Sequence, residues 1–189
     1  ITICTTRAIE FSRCKERKIE GKFNGGDITS DGGVLPLRGA DRKLGLTEYI
    51  SRRKKSCRHS LGNMLRQRVY AIAPDYEDLN DHEPLRNYAV FQSAMNRDAA
   101  LASPSTLCRF ENRADRSMLW NISAALVDVF IESFDRAPEE LILDFDSTDD
   151  AVHGQQVGRF FHGYYDRHCF LPLYVFCGGH LLAAHFFII

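Results

Sequence analysis

Apolar positions recur at helical spacing through the first two thirds of the chain and turn to strand-like alternation after Pro138. In "LGNMLRQRVYAIAPDY" (61–76), Leu61, Met64, Leu65, Val69 and Ile72 fall on one stripe, which predicts a helix. "DHEPLRNYAVFQSAMNRD" (81–98) reads as another, with Pro84 near its first turn. "VLPLRGADRKLGLTEYI" (34–50) is helical in parts, interrupted by Gly39 and Gly45. Ser103 and Pro104 suit the N-cap and first helical position of a short helix that shows Ser105, Thr106 and Arg109 near its start. Residues 117–134 place Ile122, Leu126, Val129, Phe130 and Phe134 at helical spacing, a long amphipathic helix with Trp120 and Phe130 expected in its core.

In "ELILDFD" (140–146) the period becomes two. Leu141, Leu143 and Phe145 face one way and Ile142, Asp144 and Asp146 the other. "CFLPLYVFCGGHLLAAHFFII" (169–189) is two apolar runs around Gly178-Gly179, a two-residue hairpin signal. The expected class is α+β: a mostly helical region over 1–137, then three antiparallel strands over 138–189. Residues 1–33 mix short apolar and basic pieces and end in the loop-like "NGGDITSDGG".

Charge sharpens this division. The net charge is −1, yet residues 1–70 hold 16 Lys/Arg against 7 Asp/Glu, and residues 71–189 hold 8 against 18. A basic first third suggests a polyanionic partner, and an acidic remainder suggests cation binding. No apolar run is long enough for a membrane helix, and the N-terminus shows no signal-peptide block. Six cysteines without a C-x-x-C pair point to a reduced, cytoplasmic protein.

"LILDFDSTDD" (141–150) holds four aspartates in seven positions. Residues two apart on a strand share a face, so Asp144 and Asp146 can look into one pocket. Hard cations take oxygen ligands, and strand-borne carboxylates completed from elsewhere build two-metal phosphoryl-transfer sites. Plain turn aspartates explain Asp149 and Asp150 as well. A glycosidase-type pair is a poorer fit, since such carboxylates come from separated segments.

The order Asp-x-Thr-Asp-Asp…His-Gly-Gln-Gln…Phe-His-Gly-Tyr-Tyr-Asp, within residues 146–166, resembles DDE transposases of bacterial insertion sequences, the insertion sequence thirteen-eighty group in particular. "LASPSTLCRFENR" (101–113) and "SDGGVLPLRGADRKLGL" (30–46) resemble the same proteins, so the likeness runs from about residue 20 onward. It implies an RNase H-like catalytic domain that opens with three antiparallel strands. It also implies Asp146 as the catalytic Asp and metal ligand, Asp144 beside it, and Mg²⁺ or Mn²⁺ as cofactor. Double-stranded DNA at transposon ends is the implied partner, with homodimerisation allowed and the nucleoid as location. Thr148 and the "HGQQ" loop would shape the turn after the site, with His153 and Gln155 as lesser candidates. Such an enzyme needs a second Asp and a Glu, and no acidic residue lies beyond Asp166. The expectation is therefore an N-terminal part, truncated after the third strand and inactive alone. The alternative is a non-catalytic DNA-binding product that occupies transposon ends.

For DNA contact, Arg52, Arg53, Lys54 and Lys55 are candidate phosphate ligands, and Thr106 and Arg109 candidate base readers on the second helix of a helix-turn-helix whose first helix is 87–99. His168, Cys169, Cys177 and His180 match no common zinc spacing. Phe160, Phe161, Tyr164 and Tyr165 either stack on bases or pack a loop onto the sheet.

Overall fold

The computed structural model describes residues 8–22, 24, 29–51 and 60–186. By contact the chain divides into two compact units, Ile1–Asp115 and Arg116–Ile189.

The first unit opens with an antiparallel hairpin that the sequence pattern did not announce, β1 (Ile9–Cys14) and β2 (Arg17–Gly21). Six described helices follow. These are α1 (Val34–Leu44), α2 (Leu46–Ser51), α3 (Leu61–Ile72), α4 (His82–Leu85), α5 (Ala89–Ala94) and α6 (Pro104–Glu111), with a 3-10 turn at Leu79–Asp81. Gly39 is carried inside α1, while Gly45 ends it with φ of 68°, a left-handed cap that glycine adopts without steric cost. Ser60 caps α3 by accepting from the Asn63 N–H. Ser103 has the extended backbone of an N-cap before Pro104, but its hydroxyl turns to Thr106 Oγ1 at 3.0 Å instead of to a backbone N–H.

Val34, Tyr70, Leu85, Phe91, Met95 and Leu101 form the core of this unit. The Arg38 guanidinium, buried on α1, donates to the Ser12 and Arg13 carbonyls and so ties the hairpin to the helices. Two polar clusters lie inside. Asp41 accepts from the Thr47 N–H (3.0 Å), the Thr47 hydroxyl (2.6 Å) and the Tyr70 hydroxyl (2.6 Å). Gln67 pairs with both backbone groups of Ala102 at 2.9 Å and stands 3.2 Å from His82 Nδ1.

The helix expected over 81–98 is broken. α5 holds six residues and packs on α1, whereas α6 packs on α3 and the 3-10 turn. Leu101 and Ala102 are buried in the stretch between them, Leu101 N–H donating to the Arg86 carbonyl. That stretch is part of the core and is far longer than the 3–4 residues of a helix-turn-helix turn.

In the second unit α7 (Arg116–Glu132) packs against β8 (His180–Phe186), with the Phe130 and His180 rings 5.4 Å apart. Phe130 is buried, but Trp120 is 72% exposed, which corrects the expectation that it is a core residue. The buried residues of α7 are Ala125 and Phe130, in the half of the helix that follows Trp120. Strands β3 (Asp144–Ser147), β7 (Pro172–Cys177) and β8 form one antiparallel sheet in the order β3-β7-β8. Leu141, Ile142 and Leu143 precede β3 as exposed residues outside the strand.

Three further strands lie between β3 and β7: β4 (Asp150–Ala151), β5 (Phe160–His162) and β6 (Arg167–Phe170), in the order β4-β6-β5. One register runs through both sheets. Ser147 faces Leu173, and the same count places Asp150 opposite Phe170 and Ala151 opposite Cys169. β3–β4 and β6–β7 are thus a single antiparallel ribbon, interrupted where Pro172, which has no N–H, can only accept from Thr148 (3.3 Å).

Candidate metal and nucleic-acid site

β3 carries the two candidate metal ligands. Asp144 lies opposite Phe176 and Asp146 opposite Tyr174, so both carboxylates leave one face of the ribbon. All four β3 residues are exposed, which leaves that face open to a cation or a phosphate from solvent. Asp149 is held by an ion pair with Arg167 and is engaged away from the pair. Asp150 begins β4, and Thr148 bridges the interruption in the ribbon.

A hard cation accepts oxygen ligands and lets water fill the rest of its shell, so Asp144 and Asp146 fit part of a Mg²⁺ or Mn²⁺ site. Among the described residues, no group of three or more His, Cys, Asp or Glu gathers that could hold a metal. His168 and Cys169 are neighbours on β6, and Cys177 faces His180 across the β7–β8 turn. In the loop after β4, Gln155 Oε1 accepts from Arg159 at 2.6 Å and His153 is exposed.

Of the candidate DNA contacts, Arg52, Arg53, Lys54 and Lys55 lie outside the described residues. Thr106 and Arg109 stand one turn apart on α6, the Arg109 guanidinium donating to Thr106 Oγ1 at 3.3 Å. Arg109 is exposed, while Leu107 and Phe110 turn into the core. Part of the N-terminal positive charge is already engaged: Lys15 and Arg17 pair with Asp98, Lys18 with Glu10 and Glu20, and Lys22 with Glu20.

The pattern reading missed the β5–β6 hairpin. The signal was "RFFHGYYDRHCF" (159–170), two aromatic runs around a Gly/Asp loop. Asp166 adopts a φ of 50° there, a left-handed conformation that Asp tolerates better than most residues. Phe161, Tyr164 and Tyr165 are exposed and Phe160 is half-buried, while the loop residue Tyr165 lies 4.8 Å from the His162 ring of β5, so the cluster is in part a surface feature and in part the packing of the loop onto the sheet.

No curated protein and no solved structure matches the chain at a significant level. The protein family described as transposase DDE domain group 1 matches residues 11–186, which takes in both compact units. Families of this kind are enzymes that move DNA segments and generally use a divalent metal. Strand-borne aspartates on an open face agree with that chemistry, and the chain belongs to the transposase DDE domain group 1 family.

Proposed function

We propose that the chain serves DNA transposition of an insertion sequence, of the thirteen-eighty group, with Asp146 as the catalytic carboxylate and metal ligand and Asp144 as its neighbour. The observation that carries this reading is the pair of exposed carboxylates on one face of β3 in a chain matched over nearly its whole length. The β3-β7-β8 order, with the Asp on the first strand, supports an RNase H-like domain beginning near residue 138. The region through about residue 137 would bind double-stranded DNA at transposon ends, Arg52, Arg53, Lys54 and Lys55 on phosphates and Thr106 and Arg109 on bases. The protein would act at the nucleoid, where a homodimer can hold two ends.

A bound Mg²⁺ or Mn²⁺ would supply Lewis-acid stabilisation of phosphodiester oxygens during cleavage and strand transfer. The chain's own part is to present Asp146 and Asp144 on one face of β3 and to hold DNA beside them. Two carboxylates without a described third favour weak metal binding. The 189-residue chain is therefore expected neither to nick nor to join DNA. That same observation favours, as the second reading, a DNA-binding product that occupies transposon ends without cutting them.

Titration of the chain with Mn²⁺, followed by the paramagnetic resonance of the free ion, tests the site. A dissociation constant of about 10⁻³ M or weaker is expected, with binding lost in Asp146→Asn. Tight binding that survives Asp146→Asn would place the metal elsewhere. Metal-dependent nicking by the purified chain would show that other residues complete the site.

A further inference from the structure

α7 carries more apolar surface than one neighbour covers. Ile122, Ala125 and Val129 fall on one side of the helix, where Ala125 is fully buried. On the opposite side Trp120, Ala124, Val127 and Ile131 follow one another at spacings of four, three and four, the rhythm of a helix-on-helix seam. Trp120, Val127 and Ile131 are exposed, Ile131 at 60%, and Ala124 is half-buried. The small Ala124 between larger neighbours leaves a recess into which a facing helix can set a side chain.

The charges of α7 say which helix fits. Its only charged residues are Arg116 at its start and Asp128 and Glu132 toward its end. That order opposes the helix's own dipole, whose positive pole repels a first-turn cation and whose negative pole repels a last-turn anion. Arg116 and Glu132 are exposed and have no ion-pair partner among the described residues. An antiparallel helix with the same charge order removes both conflicts, because its acidic end lies beside Arg116 and its basic start beside Glu132. A parallel copy would set like charges side by side. Duplex DNA is repelled by the acidic end and offers no apolar face to Trp120 and Ile131.

We infer that this outer face of α7 is a self-association surface: two copies pair α7 against α7 antiparallel about a twofold axis, Trp120 facing Ile131 and Ala124 facing Val127. The contact is isologous, so each copy supplies the same residues. A seam along one 17-residue helix, about 26 Å long, is short beside standard protein interfaces, so the dimer is weak and concentration-dependent. This gives a surface to the homodimer of the proposed function and rests on that reading only for the use the dimer serves. The metal role of Asp146 is separate from it.

The test uses the 189-residue chain without DNA or metal. Trp120 is its single tryptophan and reports on the face directly. Sedimentation over a concentration series should pass from monomer to dimer, with Trp120 emission moving to shorter wavelength as the dimer forms. Ile131→Lys should abolish both changes while the far-ultraviolet circular dichroism stays that of the wild type. Arg116→Glu and Glu132→Arg should each weaken the dimer about tenfold, and the double variant should regain it. These two exposed positions keep the test decisive should Ile131→Lys unfold. A chain that stays monomeric at every concentration overturns the surface, and short-wavelength emission from that monomer would show the face covered within the chain itself. A dimer that survives Ile131→Lys forms elsewhere and overturns it too, as does a double variant no better than the single ones. The Mn²⁺ titration separates the two ideas. Dimerisation with metal binding intact in Asp146→Asn upholds the seam and removes the metal role. Metal binding lost in Asp146→Asn in a chain that never dimerises removes the seam alone.

Discussion

His82 shows how one buried side chain makes stability depend on pH. It is fully buried, with Gln67 Nε2 3.2 Å from Nδ1 and Arg68 Nη1 3.0 Å from Nε2. Both neighbours are donors, and a protonated ring would point two N–H groups at them. Burial first, and the Arg68 cation second, push the imidazole down to about 4. An unfolded histidine takes its proton near 6.5, so between about 6.5 and about 4 the unfolded chain binds more protons than the native one. The contribution of His82 is therefore complete above that window and is lost as pH falls through it. Urea unfolding at pH 7.5 and pH 5 should show a drop for the wild type that His82→Asn reduces. An identical drop in the variant would exclude this ring as its source.

At the scale of elements, local signals and turn chemistry did most of the work. The Leu61–Ile72 stripe became α3, and the Gly178-Gly179 pair became the β7–β8 turn, with Cys177 opposite His180. Of the two loop glycines only Gly178 has a positive φ, 56°. Open space surrounds this position, but its left-handed φ is one that L side chains resist, so Gly178→Val should cost about 1–2 kcal/mol, against a smaller loss for Gly179→Ala. Comparison of the two urea midpoints checks this, and equal losses would mean the turn can refit. The hairpins β1–β2 and β5–β6 escaped notice because their strands are three to six residues long and carry no clean alternation. α7 was found, but its exposed Trp120 was misplaced, since a stripe gives the period and not the width of the face a partner covers.

For the whole molecule, the decisive quantity is the charge that remains for DNA after internal pairing. Lys15, Arg17, Lys18 and Lys22 answer acids within their own unit, and under the proposed function Arg52, Arg53, Lys54 and Lys55 would supply phosphate contacts. Duplex affinity should fall steeply with salt, and neutralising those four should weaken binding to all sequences and flatten the salt slope. An affinity that ignores salt would sink the proposal. Arg109→Ala is expected to act differently, costing about 1–3 kcal/mol of discrimination between sequences if it reads a base. A uniform loss in a panel of duplexes would make it a phosphate contact. Arg109 already donates to Thr106 on its own helix, so reaching a base requires it to give up a 3.3 Å bond to a neutral hydroxyl, a small cost.

What the sequence by itself determined is what neighbours along the chain decide. Helical period, cap and turn residues, and the shared face of Asp144 and Asp146 are consequences of backbone geometry over a few residues. The tertiary structure alone decided which of these meet across long separations. It carried one register from Asp144 through Ala151 along β6 and β7, placing Phe161 and His168 on the aspartate face. It broke the 81–98 helix so that Leu101 and Ala102 enter the core. It also gathered Asp41, Thr47 and Tyr70 into one buried cluster, and set His82 between two donors. Burial and cross-strand register depend on partners dozens of residues away, and no local period records them.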